Sequence, residues 1–367
     1  MKKFFATVLS TAMVVSLAAC GGGQTTATTA APATTAAPAV ETTAAAAAET
    51  TAAETAAAAP AAEAEYKISV SLTTADDSAC NKMIYYMGDL LAEKTGGRAV
   101  LEVYPNGTMA NDTGSVEGVQ MGTIGMTLVS SANYATFDKN QSVFDLPFLF
   151  PTKEDAYEFF DSDLADKLAS GLDEYGIHCF GYMDYGYRLL TNNVREITKL
   201  EDLKGLKIRT MNSPYQVKTW ESLGTVPTII SFSELFTALQ QNTVDGQENP
   251  WGNIISQKFY EVQKYATDTH HILTVCPLVI SRDIYESLPD DIRSALDESA
   301  AEALVKGREL VNIEDENGAK IASDAGVTVS EISEEEIAKM REACQPVYDM
   351  MLEEVGDIVS EVQDFFK

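Results

Sequence analysis

The chain has 367 residues, with 26 Lys and Arg against 55 Asp and Glu, and a formal net charge of −29. That balance excludes a nucleic-acid-binding surface, which needs clustered basic side chains. It also disfavours adhesion of the protein surface to anionic lipid.

The N-terminus reads as a targeting segment, residues 1–19. Lys2 and Lys3 form a basic start, and Phe4 to Leu17 is apolar but too short to span a bilayer comfortably. LAAC, Leu17 to Cys20, has the form of a lipobox. Cleavage before Cys20 and lipidation of its thiol are therefore expected, against an ordinary signal peptide in which the cysteine is incidental. Residues 20–65 follow as a tether. From Gly21 to Ala64 it is mostly Ala, Thr, Pro and Glu, without an aromatic, a Lys or an Arg, so it offers little to bury and reads as a disordered spacer. About 45 residues of such coil reach several nanometres, a span that suits a protein held through a cell wall. No later run is long and apolar enough for a transmembrane helix. The mature chain is expected on the extracytoplasmic face of the membrane, held by its lipid.

The remaining 300 or so residues are enough for about two domains with a real core. Tyr66 to Leu72 alternates as a strand, Cys80 to Lys94 reads as a helix stopped by Gly96-Gly97, and Ala99 to Tyr104 is a second strand. A short helix through Val116 to Gln120 and a strand over Ile124 to Val129 complete a βαβαβ start, which predicts a parallel sheet. Thr152 and Asp155 cap a helix. His178 to Tyr182 is a strand leading into YGYRLLTNN, Tyr185 to Asn193. Thr198 and Glu201 fit a capping box, Gly205 a helix stop and Leu206 to Thr210 a strand. Arg209 then sits near the carboxyl end of a strand, where open α/β sheets place ligands. Its planar fork suits a carboxylate, offering two parallel charged hydrogen bonds. Ser231 and Glu234 fit a second capping box. Asn242 ends that helix, and TVDGQENP reads as a loop. Pro289 opens a helical stretch to about Ala322, near 50 Å if continuous. Ser333 and Glu336 cap another helix, and the chain ends in amphipathic helix.

Several strings carry a resemblance: LEVYPNGTMAND from Leu101, LPFLF from Leu146, GLKIR ending at Arg209, DGQENP ending at Pro250, and QKFYEVQKYATDTHH from Gln257. Across most of Tyr66 to Lys367 the chain resembles the substrate-binding proteins of TRAP transporters, the DctP-like family. The resemblance implies a two-lobed, periplasmic-binding-protein-like α/β fold with a long interdomain helix. Lobe I would be 66–185 plus 275–314, and lobe II 186–274 plus 315–367. It implies that Arg209 pairs with a ligand carboxylate, with Arg188 and Asn249 assisting and Phe232 packed against the ligand. Asn212, three residues after Arg209, is expected to line the cleft. Ser71, Asp77, Asn111 and Ser130 match positions facing the cleft from lobe I. Ser130 stands where relatives that bind sialic acid carry an acid, which disfavours that ligand. Trp251 is expected either to stack on a sugar face or to pack between the lobes.

Other chemistries lack a motif. Cys80, Cys179, Cys276 and Cys344 are widely spaced, with no metal-ligand pattern and no evident disulfide framework. His270 and His271, read as strand neighbours, would face opposite sides and not share an ion. No metal or cofactor is expected. HExxH, GxSxG and P-loop signatures are absent, so no enzyme is expected. The reading is a monomeric binding protein for a small organic carboxylate, a dicarboxylate or a sugar acid, serving the small and large membrane subunits of a TRAP permease. The alternatives are a binding protein for an ATP-driven importer or a sensor, or a surface-tethered hydrolase.

Overall fold

A computed structural model describes residues 64–367. The leader, Cys20 and all but the last two tether residues lie outside the described residues.

The described strands, in chain order, are β1 Tyr66–Ser71, β2 Ala99–Tyr104, β3 Met126–Leu128, β4 Ile177–Tyr187, β5 Leu189–Asn192, β6 Lys207–Thr210, β7 Val226–Ile229, β8 Gly246–Asn249, β9 Tyr265–Asp268, β10 Leu273–Ser281 and β11 Thr328–Glu331. They form two sheets, ordered β2-β1-β3-β10-β4 and β11-β9-β5-β8-β6-β7. The opening strands β1, β2 and β3 are parallel, as the βαβαβ pattern predicts, whereas β10 is antiparallel to both β3 and β4. The chain passes between the sheets three times: between β4 and β5, between β9 and β10, and between β10 and β11. Arg188 is the single residue separating β4 from β5.

Local chemistry sets most element ends. Ser78 caps the helix Ala79–Thr95 by accepting from Asn81 N, and Gly96, at φ 62°, ends it. Thr152 and Asp155 make both bonds of a capping box, and Ser333 accepts from Glu336 N. Two caps differ from expectation. Asp202, not Glu201, accepts from Thr198 N and Lys199 N at 3.1 and 3.2 Å, because the turn Leu200–Leu203 is a tight 3₁₀ helix. Ser231 precedes the helix Phe232–Gln240 but makes no capping bond to it; its hydroxyl turns to Glu234 at 3.3 Å. A larger correction concerns TVDGQENP. Its second half is β8, fully buried between β5 and β6, and not a loop. His270, at φ 42°, and His271 lie between β9 and β10 and not on a strand.

The helix Asp290–Asp324 has 35 residues, about 50 Å at 1.5 Å per residue. Its first two-thirds pack Ile292, Leu296, Ala300, Leu304 and Val311 into the core of the β1 sheet. Its last turns bring Ala319 and Ala322 against Trp251 and Leu235 beneath the other sheet. The fold is therefore two α/β lobes spanned by one long helix. Gly318 is required where Trp251 crosses it, since a Cβ there would overlap the indole. The three C-terminal helices send Met340, Val347, Met351 and Val359 into a core shared with Phe144, Phe159, Ile208 and Trp220.

Candidate functional site

Arg209 is the third residue of β6, in register with Thr228 of β7 and Gln247 of β8. It is only 2% exposed. Its Nε donates to the Ile230 carbonyl at 2.8 Å, while its Nη1 is buried without a hydrogen-bond partner. No carboxylate among the described residues lies within ion-pair distance of it. Burial first, and then the positive charge of Arg188, hold its guanidinium at about 10, against an ordinary 12.5. The group remains charged at neutral pH, so a bare cation faces a cavity of about 280 Å³. Asn111, Asp112, Asn133, Asn212 and Phe232 share its lining.

Arg188 is as buried, at 1%, but its surroundings are the reverse. Its Nε ion-pairs with the Glu248 carboxylate; its Nη2 donates to the other Glu248 oxygen at 2.9 Å and contacts Asn249 Oδ1 at 3.3 Å; its Nη1 donates to Thr274 at 3.1 Å. The other flank of Glu248 meets His271 Nε2 at 3.0 Å, and Thr269 Oγ1 lies 2.7 Å from Nδ1 of the same ring. Burial alone would raise the Glu248 carboxyl; Arg188 and His271 outweigh it and hold the carboxyl at about 2. Asn249 is locked by Gln247 on one side and by Asn253, at 3.0 Å, on the other. A narrower cavity, about 40 Å³, opens beside this network, lined by Arg188, Asn249, Asn253, Ser130, Thr73 and Thr274.

Asp112, Met211 and Phe232 line both cavities. Asp112 opens the helix Asp112–Gln120, whose N-cap Asn111 accepts from Gly114 N at 2.8 Å. Thr73 donates to Asp112 Oδ1. Burial raises the Asp112 carboxyl, against the opposing effects of that bond and of Arg209. Two lobes thus face each other across a polar cleft. Lobe II supplies the arginines and lobe I supplies one acid.

Residues 70–354 match the bacterial extracellular solute-binding protein family 7, DctP. The chain belongs to that family. As a solute-binding protein it is 31% identical over 299 residues to the C4-dicarboxylate-binding periplasmic protein DctP of Rhodobacter capsulatus, covering 81% of this chain and 90% of that one. It is 35% identical over 241 residues to the 2,3-diketo-L-gulonate-binding periplasmic protein YiaO of Escherichia coli, 66% and 74% of the two chains. The structure superposes on that of the sugar acid binding protein DctPAm from Advenella mimigardefordensis, in complex with galactonate. The TM-score is 0.80 at 31% identity, covering 82% of this chain and 98% of the other.

Most residues singled out in the sequence of this solute-binding protein converge on the cleft. Arg209, Asn111 and Asn212 line the wider cavity, Arg188, Asn249 and Ser130 the narrower one, and Phe232 both. Three do not join them. The Ser71 side chain turns to helix Asp112–Gln120, where its hydroxyl bonds Ser115 at 2.8 Å. Asp77 is exposed and lines a separate cavity with Lys82, Gly252 and Glu314. Trp251 packs on Gly318 and borders another cavity with Lys153, Tyr187 and Asp315. It follows β8 directly, but the turn after Pro250 carries it onto the long helix and away from the cleft. The sequence reading missed Asp112, Thr73, Glu248 and Asn253. Asp112 and Glu248 are each one of two acids within LEVYPNGTMAND and DGQENP, and the acid beside the amide, next to Asn111 and Asn249, was the available signal.

Proposed function

We propose that the cleft captures a small organic carboxylate, with Arg209 as its counter-charge. The observation that carries this reading is the Arg209 guanidinium: charged, 2% exposed, without a carboxylate partner, and with a buried Nη1 lacking any acceptor. A buried donor left unmade is expensive, and a carboxylate entering the cavity would satisfy it and supply the missing charge. Asn212 and Asn111 flank the same cavity and supply amide hydrogen bonds; Phe232 supplies an apolar wall. Arg188, paired with Glu248, and Asn249, bonded to Arg188, Gln247 and Asn253, hold the floor of the site. Hinge closure of the two lobes over the bound ligand would exclude water and strengthen each of these contacts.

The chain would be a monomeric receptor that hands its ligand to the two membrane subunits of a TRAP-type permease, held at the outer face of the membrane by a lipid on Cys20. Membership of an extracellular solute-binding family supports the first part, and the LAAC sequence with its long tether the second. We read the chain as a non-enzyme. Burial pushes the thiols of Cys80 and Cys276, which border the narrower cavity, far from their reactive thiolate forms.

A thermal-shift screen of the full chain against dicarboxylates, aldonates, uronates, keto acids and amino acids tests the reading. A ligand at a hundred times its Kd stabilises by about 2.7 kcal/mol, a readily measured rise in Tm. Stabilisation confined to carboxylates and lost in Arg209→Ala is the expected result. Stabilisation retained in Arg209→Ala would remove the assigned role.

A further inference from the structure

We infer that Asp112 is a specificity-determining residue that selects a carboxylate bearing hydroxyl groups, a sugar acid, over a dicarboxylate. The inference rests on the reading of Arg209 as the carboxylate partner and extends it to the rest of the ligand.

Two arginines and two acids line or border the cleft: Arg188, Arg209, Glu248 and Asp112. Glu248 lies against Arg188 through two nitrogens and is held further by His271. Arg188 is thereby spent on the scaffold and does not offer a second carboxylate an open fork. Among the described residues, Arg209 is the cleft arginine with no carboxylate within ion-pair distance, so the cleft is suited to one anionic group. The opposite wall is acidic. Asp112 lines both cavities, and its Oδ1 is already fixed by the Thr73 hydroxyl, leaving its other oxygen as an acceptor. A ligand hydroxyl can donate to that oxygen in a charge-assisted bond. A second ligand carboxylate can only accept, and would set like charges together in a water-poor space. Asn133, Ser130, Thr73 and Thr274 line the same cavities with side chains suited to further hydroxyls.

Calorimetry of the full chain with D-galactonate, D-glucuronate, succinate and fumarate provides the test. The wild-type chain is expected to bind at least one sugar acid at least about tenfold more tightly than either dicarboxylate. Asp112→Asn is expected to lower that ratio by about tenfold or more. Asp112→Glu, which keeps the charge, is expected to retain the preference. Three results overturn the inference: a wild-type preference for the dicarboxylates, a ratio unchanged in Asp112→Asn, or binding of none of the four probes. Arg209→Ala, measured alongside, separates the two claims. An unchanged ratio in Asp112→Asn with binding abolished in Arg209→Ala removes only the role of Asp112. Binding that survives Arg209→Ala removes the carboxylate reading itself.

Discussion

Arg188 and Arg209 stand 21 positions apart in the sequence, are equally buried, and face the same cleft, yet their surroundings are opposite. Arg188 is wrapped by Glu248, Thr274 and Asn249. Arg209 holds one backbone carbonyl and leaves a nitrogen bare. A buried cation with its counter-ion in place is part of the scaffold; a buried cation without one is an unfinished interaction that a ligand can complete. The difference lies in position along β8: Glu248 pairs in register with Leu190 of β5 and points its acid at the β4–β5 junction, whereas Gln247, the residue opposite Arg209, is neutral.

The largest effect expected from this contrast is on stability. Arg188→Met would strand the Glu248 carboxylate in the interior, and removing one member of a buried ion pair costs about 3–5 kcal/mol. Urea unfolding should show that loss, and Arg188→Met combined with Glu248→Gln should recover much of it, because the second change removes the stranded charge. The same measurement on Arg209→Met should show little loss, since no carboxylate is left behind. Equal losses at the two arginines would erase the distinction between scaffold and site.

A smaller effect separates charge from geometry at Arg209. Arg209→Lys keeps the charge and loses the fork, so the affinity for a bound carboxylate should fall by about ten- to a hundredfold in calorimetry. The homologous change at Arg188 should act on unfolding and not on ligand affinity. Unchanged binding in Arg209→Lys would mean that a point charge suffices, and the bidentate geometry would have to be abandoned.

Much of this was legible in the sequence. Alternation gave β1, Gly96 marked the end of the first helix, and helical spacing after Pro289 ran through the long helix. Arg209 was found because a strand stop and a family string coincide on it. β8 was not legible, for a physical reason. Gly246-Gln-Glu-Asn249 is polar throughout, so its pattern says loop, yet it is buried centrally in a sheet because its side chains satisfy one another. Gln247 donates to Thr191 at 2.9 Å, Glu248 takes Arg188, and Asn249 bonds Gln247 and Asn253. The bonds to Thr191 and Arg188 join residues 56 and 60 positions apart, beyond any local window. Ser71 failed for a related reason. Alternation separates the two faces of a strand but does not say which of them meets the cleft and which meets a helix.

The smallest expected effect comes from the mirror image of Arg209, a part-buried acid with a bare oxygen. Glu314 of the long helix accepts from Ala79 N at 2.6 Å through Oε1, and its Oε2 is buried with no partner. Burial, chiefly, pushes its carboxyl up to about 7 from an ordinary 4.5, with Asp315 and Asp77 adding to the rise. Between those two values the folded chain binds more protons than the unfolded one. Its contribution to stability is therefore largest at acid pH and declines as pH rises through that window. Glu314→Gln removes the titration and keeps an acceptor for Ala79. It should raise the unfolding free energy at pH 8 by about 1–2 kcal/mol while changing little at pH 5, both read by urea denaturation. A gain of equal size at both pH values would show that packing and not the charge is responsible. The two unpartnered groups differ in how they answer burial: Arg209 stays charged at neutral pH, whereas Glu314 takes up a proton. Gly252 packs against Glu314 Oε2, so closely that a Cβ there would overlap it, and the Glu314 side chain also lines the cavity it shares with Asp77 and Lys82. Arg209, by contrast, keeps a charge that calls for an anion, so the same kind of incompleteness is a pH-dependent weakness in one place and, in the reading proposed above, a binding site in the other.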